Sequence, residues 1–244
     1  LQNIFHVRLR STAFRRTKLL GWMFTCMCER CEESMDLARG FKCPQCGSGI
    51  CFFPNDADAK TRTSYPCTRC QKKMSMNLVQ QRLQLELQYQ ARIEQIEKGN
   101  LHDIDAVFTQ AQSIFAQHWI LYHLYTLLAE CFRERCQYTE AAHYQNARIR
   151  YHEAVLPWST YTLAWAYEEL GDITSQQTNT LSDNILKVSS CTRAVISGFY
   201  EKAYFLLVIL CGEIHAYTMS SQQKWWAVHN ENVEAQRSKM LENG

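Results

Sequence analysis

Cys43-x2-Cys46-x20-Cys67-x2-Cys70 sets two Cys-x-x-Cys hooks on either side of a short loop. Each hook presents two thiolates from one turn of backbone, and two hooks can wrap a single Zn2+ tetrahedrally. Four thiolates leave no open position on the ion, so such a centre is structural and its binding free energy goes into folding. Pro44, Gly47, Pro66 and Thr68 are small or turn-forming neighbours that suit knuckle turns. A set of buried reduced cysteines is the plainer alternative and does not require this spacing. Redox chemistry at Cys-x-x-Cys would call for a βαβ context, which the flanking residues lack.

A second cluster, Phe24-x-Cys26-x-Cys28-x2-Cys31, supplies three thiolates and no obvious local fourth. Cys51 and His6 are the spare candidates. Cys51 is the better by side-chain type, yet it equally reads as a small hydrophobe beside Phe52 and Phe53. A ligand from outside the chain would complete the set instead and make the site a joint between two modules. That joint is the favoured reading.

The rest of the chain must position these groups. Of 244 residues, 46% are hydrophobic and 20% charged, which gives a packed core and excludes wholesale disorder. Gly (9) and Pro (4) are scarce, which disfavours a turn-rich β fold. Eight of the 12 cysteines fall between Cys26 and Cys70, and charge divides with them. Residues 1–77 hold 13 Lys and Arg against 6 Asp and Glu; residues 78–244 hold 13 against 18. Two modules follow: a basic, Cys-rich, zinc-binding one over residues 1–75, and a helical one over residues 76–244. The fold class is mainly α.

Helices are expected at Met76–Lys98, Asp103–Ala116, Trp119–Arg135, Thr139–Val155, Ser159–Leu170, Asp183–Ser197, Glu201–Thr218 and Gln222–Leu241. Gly171 is read as a stop, and Thr174–Thr180 as a polar loop. Leu128-Ala129, Phe132, Cys136 and Tyr138 recur 35 residues later as Leu163-Ala164, Tyr167, Gly171 and Ile173. This offset lies near the 34-residue helical-hairpin repeat and predicts a TPR-like array, with an irregular bundle as the alternative.

Leu1–Arg16 carries four arginines and no continuous apolar core, so no signal peptide is read there. The longest apolar run, Ala203–Cys211, is shorter than the roughly 20 residues of a membrane span. The expectation is a protein of cytoplasm or nucleus, without a membrane partner, where clustered thiols bind metal. The absent initiator Met predicts a fragment of a longer chain.

Thr12-x-x-Arg15-Arg16-x-x-Leu19, followed by Phe24-Thr25-Cys26-Met27-Cys28-Glu29-Arg30-Cys31, resembles the post-SET segment of SET-and-MYND (SMYD-type) protein lysine methyltransferases. The resemblance is specific over Thr12–Cys31, moderate over Cys43–Cys70, and architectural from Met76 onward, where that family carries a helical region. It implies that Cys26, Cys28 and Cys31 share a zinc with one Cys of an upstream SET domain. It also implies that Phe24 packs on the adenine of S-adenosylmethionine in the full-length protein; a core aromatic beside Trp22 and Met23 is the alternative. A protein or peptide substrate and the SET domain are the implied partners. The chain departs from the family in lacking the Asn-His-Ser-Cys signature, a MYND finger and any Tyr before Tyr65. The spacing from Thr12 to Cys26 is also about one residue short of the family's pattern. No catalytic residue is therefore assigned, and this segment alone is expected to be inactive. The alternative is a non-catalytic adaptor that joins zinc to a helical repeat.

Arg8, Arg10, Arg15, Arg16, Lys18, Lys72 and Lys73 give the first module a basic character. Such charge answers to nucleic-acid phosphates, but it equally offsets the negative charge of metal thiolates. No basic and aromatic stripe accompanies it, so nucleic acid is not an expected partner. The eight histidines include no His-x3-His pair, and no phosphate loop or nucleophile elbow occurs.

Overall fold

The computed structural model describes residues 8–55, 63–96, 99–182 and 190–242. Its elements run α1 (Thr12–Leu20), α2 (Glu29–Glu32), β1 (Met35–Lys42), β2 (Ile50–Pro54), α3 (Met76–Gln95), α4 (Leu101–Ala111), β3 (Phe115–His118), α5 (Trp119–Glu134), α6 (Tyr138–Val155), α7 (Tyr161–Ser182), α8 (Ser190–Cys211) and α9 (Ala216–Glu242). Among the described residues the protein is mainly helical, with one three-stranded sheet. It divides into two compact units, Leu1–Leu128 with Ala154–Leu156, and Ala129–Glu153 with Pro157–Gly244. The division falls inside α5, whereas composition and charge change near Met76.

β3 explains that difference. The helical pattern of 103–116 ends early, at Ala111, and Phe115–His118 instead pairs antiparallel with β1. Pairing gives the backbone of this segment ladder partners and buries Phe115 and His118 completely. The sheet order is β2-β1-β3, with a register irregularity between Asp36 and Gly40. Phe41 is the hub of its buried face: its ring stacks on Phe53 at 4.4 Å and lies 5.4 Å from Phe115 and 4.9 Å from His118.

α3 opens on a Ser75 cap and turns Val79, Glu86, Tyr89 and Ile93 toward this unit's core. Tyr89 meets Phe115 edge-on at 5.3 Å. Glu86 is a carboxylate on an otherwise apolar stripe, and three donors on other elements surround it. The Arg39 guanidinium donates to it at 2.6–3.2 Å, Trp119 Nε1 donates at 2.7 Å, and His118 Nε2 lies 3.6 Å away. A buried carboxylate is tolerated only when so partnered.

In the second unit, α7, α8 and α9 pack in sequence, and the core joins Ile149 of α6 to Leu163, Ala166, Tyr167 and Leu170 of α7 and Ala203 of α8. The expected loop at Thr174–Thr180 is helical. Two of its hydroxyl groups bend back onto the helix, Thr174 Oγ1 donating to Leu170 O at 2.7 Å and Thr178 Oγ1 to Ser175 O at 2.7 Å. Gly171 does not stop α7. A Cβ there would lie 2.6 Å from the Tyr200 ring, so glycine permits close approach of α8. Cys136, its counterpart in the 35-residue echo, instead caps α5 with a φ of 57°. The two echoed segments therefore diverge at that position.

α8 runs through Gly198 as one helix rather than two, and ends before Gly212, whose φ is 83°. Residues 183–189 of the expected preceding helix, Asp183–Ser197, lie outside the described residues. Continuity makes Thr192–Cys211 long and apolar enough, by length and composition, to cross a membrane. That helix is also the middle layer of its unit, packed on both α7 and α9.

Candidate metal centres

The Sγ atoms of Cys43, Cys46, Cys67 and Cys70 all lie within 4.8 Å of one another. Cys43 and Cys70 approach to 3.6 Å, and Cys46 and Cys67 to 3.7 Å. A tetrahedron built on a Zn–S bond of about 2.3 Å has edges of about 3.8 Å. The four sulfurs therefore have the spacing of a closed tetrathiolate shell.

Both hooks have the same backbone form. Gly47 N donates to Cys43 O and Gln71 N to Cys67 O, at 3.0 and 3.1 Å. Each turn closes on a left-handed residue, with φ of 67° at Gly47 and 60° at Gln71. Gly49 N donates to Cys46 Sγ at 3.3 Å and Arg69 N to Cys67 Sγ at 3.4 Å. These backbone dipoles favour thiolate over thiol. The N–H groups of Ser48, then Gly49, pull Cys46 down to about 6. At Cys43 burial opposes ionisation, but the N–H groups of Cys46 and Gln45 outweigh it and lower its pKa.

β2 holds the second hook against the first. Thr68 N donates to Ile50 O and Tyr65 N to Phe52 O, both at 2.9 Å. Cys51, the second residue of β2, is fully buried. Burial first, and then the charges of Cys43 and Cys67, push it up to about 12, so it is a neutral thiol beside the tetrad. That position answers the sequence alternatives: Cys51 belongs to the surroundings of the first centre and not to the second.

Cys26, Cys28 and Cys31 bring three Sγ atoms within 4.8 Å of one another, with Cys28 exposed and Cys31 buried. Among the described residues no fourth Cys, His, Asp or Glu joins them. His6 lies outside the described residues. The burial of Cys31 raises it to about 11. At Cys28 burial also opposes ionisation, but hydrogen bonds from the Cys26 thiol and the Cys31 backbone, helped by Arg15, lower its pKa. Both clusters could hold a metal ion.

Of Thr12, Arg15 and Arg16, Arg16 bonds this second cluster, Arg15 places its charge near it, and Thr12 is bonded to Arg15. Ser11 caps α1, and Thr12 N donates to Asp36 Oδ2 at 2.7 Å, which fixes the helix start on β1. Arg15 Nη2 donates to Thr12 Oγ1 at 2.7 Å, and Arg16 Nη2 to Cys31 O at 2.6 Å. Arg10 has another task, its guanidinium lying 4.2 Å from the Phe14 ring centre and 3.6 Å from that of Trp119. Arg30, given no role of its own by the motif, and Asn55, outside any motif, anchor α2: Arg30 donates to Arg8 O and Arg10 O, and Asn55 Nδ2 to Arg30 O at 3.0 Å. Phe24 is 54% exposed, so it is not the core aromatic that the plainer reading allowed. Leu20, Trp22, Met23 and Met27 are exposed beside it.

No protein-family model matches this chain, and no curated protein matches it.

Proposed function

We propose that this chain is the post-SET and helical C-terminal portion of a SET-and-MYND-type, S-adenosylmethionine-dependent protein lysine methyltransferase. In this reading one Zn2+ sits at Cys43, Cys46, Cys67 and Cys70 as a structural pin. A second is held by Cys26, Cys28 and Cys31, and its fourth ligand comes from the SET domain. The observation that carries the proposal is the convergence of three thiols, one exposed, that no described residue completes. Thr12 and Arg15 bonded to each other, with Arg16 on the Cys31 carbonyl, give the resembling residues a shared task at that edge. The exposed Leu20–Met27 segment, Phe24 included, is apolar surface that a SET domain and the cofactor adenine would cover. The helical unit, read as a TPR-like array, would form one wall of the substrate cleft.

The second reading is a non-catalytic adaptor. Phe205, Ile209, Ile214, Tyr217 and Trp226 are exposed on and between α8 and α9, apolar surface of the kind that takes protein partners. The reading frame upstream of Leu1 separates the two. An Asn-His-Ser-Cys signature there, with methyl transfer by the joined protein and none by this segment, supports the first; its absence leaves the adaptor.

A further inference from the structure

We infer that Cys26, Cys28 and Cys31 form a binding site for trivalent arsenic, a three-coordinate thiophilic ligand. The inference rests on the same incomplete thiol set as the proposed zinc joint, but not on any partner. Soft thiol sulfur favours soft, thiophilic acceptors, and coordination number then selects among them. A pyramidal trivalent centre takes three donors and keeps a lone pair in the fourth direction. This cluster offers three Sγ atoms within 4.8 Å of one another and, among the described residues, no fourth donor. All three are free thiols, and the exposure of Cys28 opens the site to solvent.

Arsenous acid enters by condensation. Three As–S bonds form as three As–O bonds break, and each thiol proton leaves with a hydroxyl group as water. No electrons are transferred, so neither oxidant nor reductant is required. The Cys43, Cys46, Cys67, Cys70 tetrad is a poorer host for the same centre. A three-coordinate ion there would strand one thiol, and Cys43 and Cys67 are buried.

The test is native mass spectrometry of the zinc-loaded full chain titrated with sodium arsenite, alongside the Cys28→Ser and Cys26→Ser variants. One arsenic per chain with tetrad zinc retained, and at least a tenfold loss of uptake in both variants, is the expected result. No arsenic on the parent chain, unchanged uptake in the variants, or uptake matched by loss of the tetrad zinc would each overturn the inference. Arsenic bound at a cluster that takes no zinc, even with the upstream segment supplied, would refute the zinc joint and uphold this site.

Discussion

A Cβ placed on Gly49 would lie 2.2 Å from the Sγ of Cys67. The backbone that donates to Cys46 thus also lies against the opposite hook, and the two hooks share one crowded turn. Gly49→Ala must push Cys67 out of the tetrahedron or open the Cys46 turn. Competition with a chromogenic chelator should show zinc held roughly 10–100-fold more weakly, the scale typical of disturbed ligand support.

Metal removal should act on the first unit in particular. Chelator treatment, or Cys46→Ser, is expected to lower the melting temperature and expose the 43–70 segment to protease, because structural zinc contributes its binding free energy to folding. Acid should have the same effect, since protons compete with metal for thiolates. Unchanged protease sensitivity after zinc is stripped would remove the structural role.

Arg39 and Glu86 form a buried pair, with Glu86 held below its ordinary range by Arg39 and then His118 despite burial. Glu86→Ala strands a buried guanidinium and should cost about 3–5 kcal/mol in denaturant unfolding. Because the folded pKa of Glu86 is depressed, the pair's contribution is complete above the unfolded value and disappears as pH falls through the folded one. Joint replacement by Arg39→Met and Glu86→Leu should cost less than Glu86→Ala alone.

His118 gives stability a second acid dependence. Burial depresses it from 6.5 to about 3, and Ile120 N donates to its Nδ1, so the proton sits on Nε2 facing Glu86. The unfolded chain binds a proton near 6.5 that the folded chain refuses. Stability should therefore fall as pH drops from 6.5 toward 3, by about 1.4 kcal/mol per pH unit for this one group. His118→Gln should flatten that slope; an unchanged profile would assign it to other groups.

Gly171→Ala tests the helix contact in the second unit. A Cβ 2.6 Å from the Tyr200 ring must move α8 or the ring, at about 1–3 kcal/mol. Tyr200 also donates to Asp172 at 2.8 Å, so the displacement should be visible as loss of near-ultraviolet circular dichroism.

Local chemistry was readable in the chain itself. Chelating hooks depend on a few consecutive residues, so the spacing of Cys43, Cys46, Cys67 and Cys70 already implied the centre that the sulfur distances describe. The start of α3 at Met76 was legible too, where Ser75 caps the helix by a bond three residues long, whereas the expected starts at Glu201 and Gln222 fall inside α8 and α9. Gly171 and the Thr174–Thr180 stretch misled because their local character is that of a stop and a loop. What overrides it is a tyrosine on another helix and hydroxyl groups turned inward.

The sequence alone determined which residues can ligate, where the cysteines divide into four and three, and that helices dominate, because each follows from neighbours along the chain. Tertiary structure alone decided that Cys51 stands beside the tetrad, that residues 115–118 join a sheet, and that Arg39, His118 and Trp119 gather around the buried Glu86 carboxylate. Those outcomes depend on contacts between separate segments of the chain, and pairing and burial between segments leave no periodic trace in the sequence.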